Sequence, residues 1–298
     1  MKFEIVCDSS VDLPKDVTEA ARVTVVPFYV SMDGNTYLKE GVDIAISDFY
    51  QEMVENSGCF PKTSMPAIQD YIDALRPAVE AGKPVLCICL TKKFSGSYQS
   101  AKTARMALLE EYPDADIYVL DSHSVTALEG LFVQQAVRLR DSGLSMEEAV
   151  QRLKEVRDTG HIFFTTKDLK YLEHGGRLGK VASIAGSVLN LKPVLHFCNG
   201  DLDTTEVCRG RKKSLQRVIE KFALYVKEQN LDLNDYYFAT GLGLEIPEYE
   251  EFYKDVQICF DKIGQHPEDL GCAQIGPTIG VHTGPYPMGL GIMKKCRV

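Results

Sequence analysis

Two serines around a glycine, Ser95-Gly96-Ser97, stand between an apolar run, Pro84 to Leu90, and a helix-patterned run, Ala101 to Leu109. The first run reads as a buried parallel strand and the second as a helix, so the serines fall on a strand-to-helix turn. Such a turn suits an anion. The first N–H groups of a helix lack internal partners and carry the positive end of its dipole; Gly96 permits close approach, and Ser95 and Ser97 add hydroxyl donors. The same residues also make an ordinary serine cap. No Gly-Lys-Ser/Thr follows and the region holds no GxGxxG, so nucleotide phosphate is not the favoured anion. Thr63 and Ser64, just ahead of Pro66, read as a second hydroxyl-bearing helix entrance, with capping by Ser64 as the plain alternative. Asp8-Ser9-Ser10 puts an acceptor and two hydroxyls at the end of the first strand.

Other chemistry-bearing residues are scattered. Arg177 is a cation near the entrance of a helix-compatible stretch, and His282 an imidazole at the end of an apolar strand. Asp121-Ser122-His123 has the residue types of a catalytic triad, but triad members come from separate parts of a fold and need a nucleophile elbow, which is missing. Arg209, Arg211, Lys212, Lys213 and Arg217 cluster near the start of a helix, where positive charge opposes the dipole; a solvated face explains them, and so does a docking patch for an acidic partner.

Strands and helices alternate to position these groups. Strands are expected at Phe3–Cys7, Val23–Ser31, Asp116–Leu120, His161–Thr166, Pro193–Phe197, Leu202–Val207, Tyr236–Thr240 and Gly271–Val281. Asp33-Gly34 and Asn199-Gly200 are hairpin turns. Helices are expected from Ser47, as cap, to Glu55, from Pro66 through Leu75, after Ser124 to Arg140, over Val181–Leu189, from the basic cluster to about Glu228, and from Pro247 to Ile263. Ser145-Met146-Glu147-Glu148 is a capping box for a helix to Val156. Gly160 is the expected domain boundary.

The chain has 298 residues, 45% of them apolar, enough for a sizeable core, and at roughly 100–200 residues per domain two domains are expected. No apolar segment reaches the roughly 18 residues of a membrane helix, and the start reads as a strand rather than a signal peptide, so a soluble, cytoplasmic protein is expected. A net charge of −9 argues against nucleic-acid binding. Nine cysteines, several inside apolar strands, read as reduced core thiols. Cys87 and Cys89 are expected on opposite sides of their strand, which excludes a two-residue metal knuckle, and neither a metal site nor a disulfide framework is expected.

Cys7-Asp8-Ser9-Ser10-Val11-Asp12-Leu13-Pro14, Lys62-Thr63-Ser64-Met65-Pro66, Phe94 through Ala101, Gly175-Gly176-Arg177-Leu178-Gly179, Leu191-Lys192-Pro193, Arg209-Gly210-Arg211-Lys212-Lys213 and His282-Thr283-Gly284-Pro285 together resemble, in order and over nearly the whole chain, the DegV family of bacterial fatty-acid-binding proteins. The resemblance implies an α/β fold in two domains with a lipid tunnel between them. Residues 1–160 would form an N-terminal domain on a mainly parallel sheet flanked by helices, and 161–298 a C-terminal α/β domain with a mixed sheet. A long-chain fatty acid would lie with its carboxylate on the hydroxyls of Thr63 and Ser95, beside Ser64 and Gly96, with Arg177 and His282 close by. The implied protein is a carrier without cofactor, not an enzyme. Some members present the carboxylate to a separate kinase that makes acyl phosphate for phospholipid synthesis; Arg209, Arg211 and Lys213 would be the docking residues here, and lipid exchange would allow transient membrane contact. Met65 stands where glutamine is common, Ala67-Ile68 replaces a more polar pair, Lys92-Lys93-Phe94 replaces small residues, and Pro285-Tyr286-Pro287-Met288 replaces a glycine-containing end. The readings from other classes are a lipid hydrolase or acyltransferase using Ser95, for which no base stands at readable spacing, and a sensor of small anions or nucleotides.

Overall fold

A computed structural model describes residues 2–56, 58, 60–167, 169–177, 191–244 and 246–297. The first half contains β1 (Glu4–Asp8), α1 (Lys15–Ala20), β2 (Val23–Val26), β3 (Tyr29–Ser31), β4 (Leu38–Lys39), α2 (Ile46–Glu55), β5 (Lys62–Ser64), α3 (Ile68–Glu80), β6 (Val85–Cys89), α4 (Ser97–Glu111), β7 (Ile117–Asp121), α5 (Thr126–Asp141) and α6 (Met146–Val156). The second contains β8 (His161–Thr165), α7 (Lys170–His174), β9 (Leu191–Cys198), β10 (Asp201–Arg209), α8 (Arg211–Glu228), β11 (Tyr236–Leu242), α9 (Glu248–Ile263), β12 (Glu268–Gln274), α10 (Pro277–Thr283) and β13 (Met288–Lys294). The stretch 181–189 lies outside the described residues.

The short apolar runs pair in parallel because helices return the chain between them, giving a four-stranded sheet in the order β2-β1-β6-β7. A six-stranded sheet, β10-β9-β8-β13-β11-β12, is antiparallel except where β12 lies parallel to β11. All strands of the first sheet precede Gly160 and all strands of the second follow it. Side chains alternate across each sheet, so each supplies two apolar faces. On one face of the first sheet, Val6, Val85, Cys87 and Cys89 pack with Tyr71, Leu75, Ala101 and Ala104 of α3 and α4. Its other face and the inner face of the second sheet both pack on α5, whose Leu128, Leu131, Phe132 and Ala136 share one cluster with Ile5, Ile88, Ile162, Phe197 and Ala239. A helix covered on both sides must be apolar most of the way round, as the buried residues of α5 are. The outer face of the second sheet is covered by α8 and α9 through Phe163, Phe222, Phe238 and Phe260.

A small sheet, β4-β3-β5, packs with α2, and α10 from the far end of the chain returns to it, Val281 joining Val30, Phe49, Tyr50 and Met53. That return is held by polar bonds. The Tyr50 hydroxyl donates to the Ile275 carbonyl at 2.8 Å, Gly276 N–H to Asp12 at 2.9 Å and Thr278 N–H to Glu40 at 3.1 Å.

Several local expectations are corrected. Residues two apart share a strand face, so Cys87 and Cys89 lie on the same side with their sulfurs 3.9 Å apart, both buried. Ser47 lies inside α2, whose N-cap is Ala45. Pro277 to Thr283 is a helix with Pro at its start rather than the end of a strand. Thr63 and Ser64 lie on β5, paired with β3, and α3 begins later, where Asp70 rather than Ser64 accepts the Ala67 N–H at 2.8 Å. The Asn199-Gly200 turn is as expected, both residues having positive φ between β9 and β10.

Candidate functional site

Between the two sheets lies a cavity of ≈ 320 Å³, within the size range of small-molecule sites. Most of its wall is apolar. Leu90, Ala127, Ile162, Phe164, Phe197 and Leu202 come from both sheets and from α5. Room is made by glycine: Gly241 on β11 and Gly289 and Gly291 on β13 line the cavity where side chains would otherwise point inward. A Cβ on Gly289 would stand 2.4 Å from the Phe163 carbonyl oxygen, so that position admits no side chain. The Met-Gly-Leu-Gly-Ile alternation over 288–292 is the sequence signal for this wall, and it forms a strand, β13, that the expected strands do not include.

Thr63, Ser64, Ser95, Gly96, Arg177 and His282, expected together from the resemblance alone, all line this cavity. Each arrives on a different piece of local structure. Thr63 is held by the β3–β5 pairing, opposite Val30. Its hydroxyl lies 3.4 Å from Nε2 of His282, which stands in the last turn of α10. Ser95 precedes α4, and its oxygen accepts the Ser97 N–H at 3.1 Å. That bond closes the turn before α4, whose N-cap is Gly96, and it occupies one lone pair while leaving the hydroxyl proton available to a ligand. Gly96 presses on Met65, whose sulfur would be 2.6 Å from an added Cβ, which favours a glycine there.

Ser97, expected to donate at the same turn, points elsewhere. Its hydroxyl is buried and bonds Asp8 at 2.9 Å and Tyr71 at 2.5 Å. Asp8 also accepts the Leu90 N–H at 3.1 Å and the Ser10 hydroxyl at 2.7 Å. The Asp8-Ser9-Ser10 strand end therefore holds both ends of the connection from β6 to α4, and so positions Ser95. Ser10 also bonds Glu129 of α5 at 2.5 Å. Burial pushes the Asp8 carboxyl up, and burial together with the Asp8 charge pushes Glu129 well above the usual carboxylate range.

Arg177 follows α7 and is half-buried. Its Nε and Nη2 donate to the Phe94 carbonyl at 3.2 and 3.0 Å, and Nη1 to the Gly175 carbonyl at 2.6 Å. The guanidinium thus ties the turn before Ser95 to the end of α7 and brings positive charge to the polar end of the cavity. Burial lowers its pKa. His282 is lowered to about 4 by burial and by Arg177, which keeps the imidazole neutral at pH 7. Gly175 is packed against that ring, an added Cβ standing 2.1 Å from Nδ1. The site is a set of neutral donors and one cation in the wall of a mostly apolar cavity, an arrangement suited to an anionic head on an apolar body. Among the described residues, Ser95 has no hydrogen bond to an imidazole or carboxylate.

The basic cluster is largely neutralised within the chain. Arg211 pairs with Glu248 at 3.1 Å, Lys212 with Glu251 at 3.4 Å and Arg217 with Glu206 at 2.5 Å. Arg209 and Lys213 are exposed and have no ion pair among the described residues. Ser122 of the triad-like stretch bonds the Ser124 carbonyl at 3.4 Å, while His123 meets Asp158 at 2.6 Å. Among the described residues, no helix is long and apolar enough to cross a membrane.

The family described as "Uncharacterised protein, DegV family" matches residues 2–295. A DegV domain-containing protein of Caldanaerobacter subterraneus is 32% identical over 296 residues, 99% of each chain. Among solved structures, a stearic-acid-binding protein from Eubacterium ventriosum superimposes with a TM-score of 0.92 at 41% identity over 98% of each chain. A fatty-acid-binding DegV family protein from Thermus thermophilus gives 0.84 at 27% identity over 99% of this chain and 100% of its own. DegV of Bacillus subtilis, a fatty-acid-binding protein, gives 0.81 at 26% over 99% and 100%. With the family matching residues 2–295 and a relative 32% identical over 99% of each chain, this chain belongs to the DegV family.

Proposed function

We propose that this protein binds one long-chain fatty acid in the cavity between its sheets, with the carboxylate on Thr63 and Ser95, and carries the acid without transforming it. The observation that carries the reading is the gathering of Thr63, Ser64, Ser95, Gly96, Arg177 and His282 in the wall of one mostly apolar cavity. At about 0.8 kcal/mol per buried methylene, a chain of roughly fifteen offers about 12 kcal/mol gross, against about 1.5–3 kcal/mol for each hydrogen bond to the charged head. The acyl chain supplies affinity and the head supplies orientation. In this reading residues 1–160 are the domain bearing the carboxylate site and 161–298 the domain closing the tunnel. The stearic-acid-binding and other fatty-acid-binding relatives support it.

The finer role is presentation of the carboxylate to a separate kinase that forms acyl phosphate for phospholipid synthesis, with Arg209, Arg211 and Lys213 as the docking patch and transient membrane contact for lipid exchange. Arg209 and Lys213, both exposed, are the residues with charge to spare. Native mass spectrometry of the purified protein followed by organic extraction tests the core reading. A retained long-chain acid released intact is the expected result. A covalent acyl adduct on Ser95 would instead favour a serine-dependent hydrolase or acyltransferase, and a bound nucleotide or small anion would favour a sensor.

A further inference from the structure

The outer face of the second sheet carries a cluster unrelated to the cavity. In the antiparallel pair of β8 and β9, His161 lies opposite Cys198 and Phe163 opposite His196, so these four share one face, turned away from the cavity that Ile162, Phe164 and Phe197 line. His161 Nδ1 and His196 Nε2 face each other at 3.0 Å. The ligating atoms of His161, His196 and Cys198 all lie within 4.8 Å of one another, and all three residues are part-exposed. From α8, the Tyr225 hydroxyl lies 2.6 Å from His161 Nε2.

We infer that His161 Nδ1, His196 Nε2 and Cys198 Sγ form a binding site for one borderline d-block cation of the Zn²⁺ type, with a fourth position left for water. The donor set is that of zinc and its neighbours, not of calcium or magnesium, which take oxygen. Zn–N distances of about 2.0–2.1 Å and Zn–S of about 2.3 Å require the ligand atoms to stand roughly 3.3–3.7 Å apart in a tetrahedron, so the rings and the thiol need only small rotations on fixed strands. Tyr225 supplies the outer contact that such histidines usually have. With the ion bound, the Tyr225 oxygen would accept the Nε2 proton of His161 and leave Nδ1 free for the ion. Asp203 lies opposite His196 in the β9–β10 register and adds negative charge beside the site. Cysteine spacing along the chain does not suggest this site, because its ligands come from two strands joined only by register.

Cobalt titration of the reduced full-length protein tests it. One equivalent of Co²⁺ should produce both a sulfur-to-cobalt charge-transfer band and the visible bands of tetrahedral cobalt, and Zn²⁺ should abolish both. Cys198→Ser should lose the charge-transfer band, and His196→Asn should lose tetrahedral binding. Tyr225→Phe, which keeps all three ligands, should weaken cobalt binding roughly 10- to 100-fold with retained fatty acid and near-UV circular dichroism unchanged. Absence of one-to-one uptake by the wild type, or an unaltered cobalt spectrum in Cys198→Ser or His196→Asn, overturns the inference.

Discussion

Ser95→Ala separates the two tasks of one hydroxyl. Its oxygen accepts the Ser97 N–H at 3.1 Å, and losing that turn-closing bond costs about 0.5–1.5 kcal/mol of stability. In the proposed complex its proton donates to the carboxylate, and a hydrogen bond to a charged group contributes about 1.5–3 kcal/mol, which is roughly 10- to 150-fold in affinity. A water taking the place of the hydroxyl would reduce that loss. The loss of the turn bond affects free and bound protein alike, so it cancels from the binding constant and appears only in the denaturation midpoint. Thr63→Val, which loses the second donor but no cap, should weaken binding by a similar factor with little effect on the midpoint. The methyl ester of the same acid has no charge, so wild type should bind it poorly and Ser95→Ala should discriminate less between acid and ester. Displacement of a fluorescent fatty acid from lipid-stripped protein measures all these affinities. If Ser95→Ala keeps the wild-type ratio of acid to ester, Ser95 only closes the turn before α4 and the head group lies elsewhere, first at Arg177 and His282.

Charge reversal of Arg209 and Lys213 should slow phosphorylation of the bound lipid by a cognate kinase while leaving lipid retention intact, because rim charges govern encounter; equal loss of both would remove the docking role. Arg211→Glu should also lower stability, because it breaks the pair with Glu248. Gly291→Val places a side chain in the cavity wall, and each methylene that no longer fits costs about 0.8 kcal/mol, about fourfold in affinity, so the acids extracted from this variant should be shorter; an unchanged chain-length profile refutes the placement of the acyl chain. Glu129 is raised well above its ordinary value, so its neutral form is favoured in the folded state and its stabilising contribution, complete at low pH, is lost as pH rises toward the folded value. Glu129→Gln should therefore gain on wild type in urea unfolding as the pH rises above the ordinary carboxylate range; a difference that stays constant as the pH rises refutes the buried neutral acid.

Residues whose local pattern agrees with their final surroundings were legible in the sequence. Val85 to Cys89 is an unbroken apolar run because both faces of its strand are covered, Asn199-Gly200 turns because both residues accept positive φ, and Ser145 with Glu148 caps α6 through reciprocal bonds. The grouping of Thr63, Ser95, Arg177 and His282 was legible only by resemblance, since spacing along the chain says nothing about a cavity closed by residues more than two hundred positions apart. Tertiary structure decided the rest. Thr278-Ile279-Gly280-Val281 has the composition of a strand, yet it coils because Pro277 starts a helix, Glu40 receives the Thr278 N–H, and Gly280 lets the helix approach Tyr50, whose hydroxyl would be 2.6 Å from a Cβ. Thr63 is on a strand because Val30 was there to pair with it. The glycines of β13 weaken a strand when read alone, and they hold the cavity open because the neighbouring strands and α5 supply the bonds and packing that glycine does not.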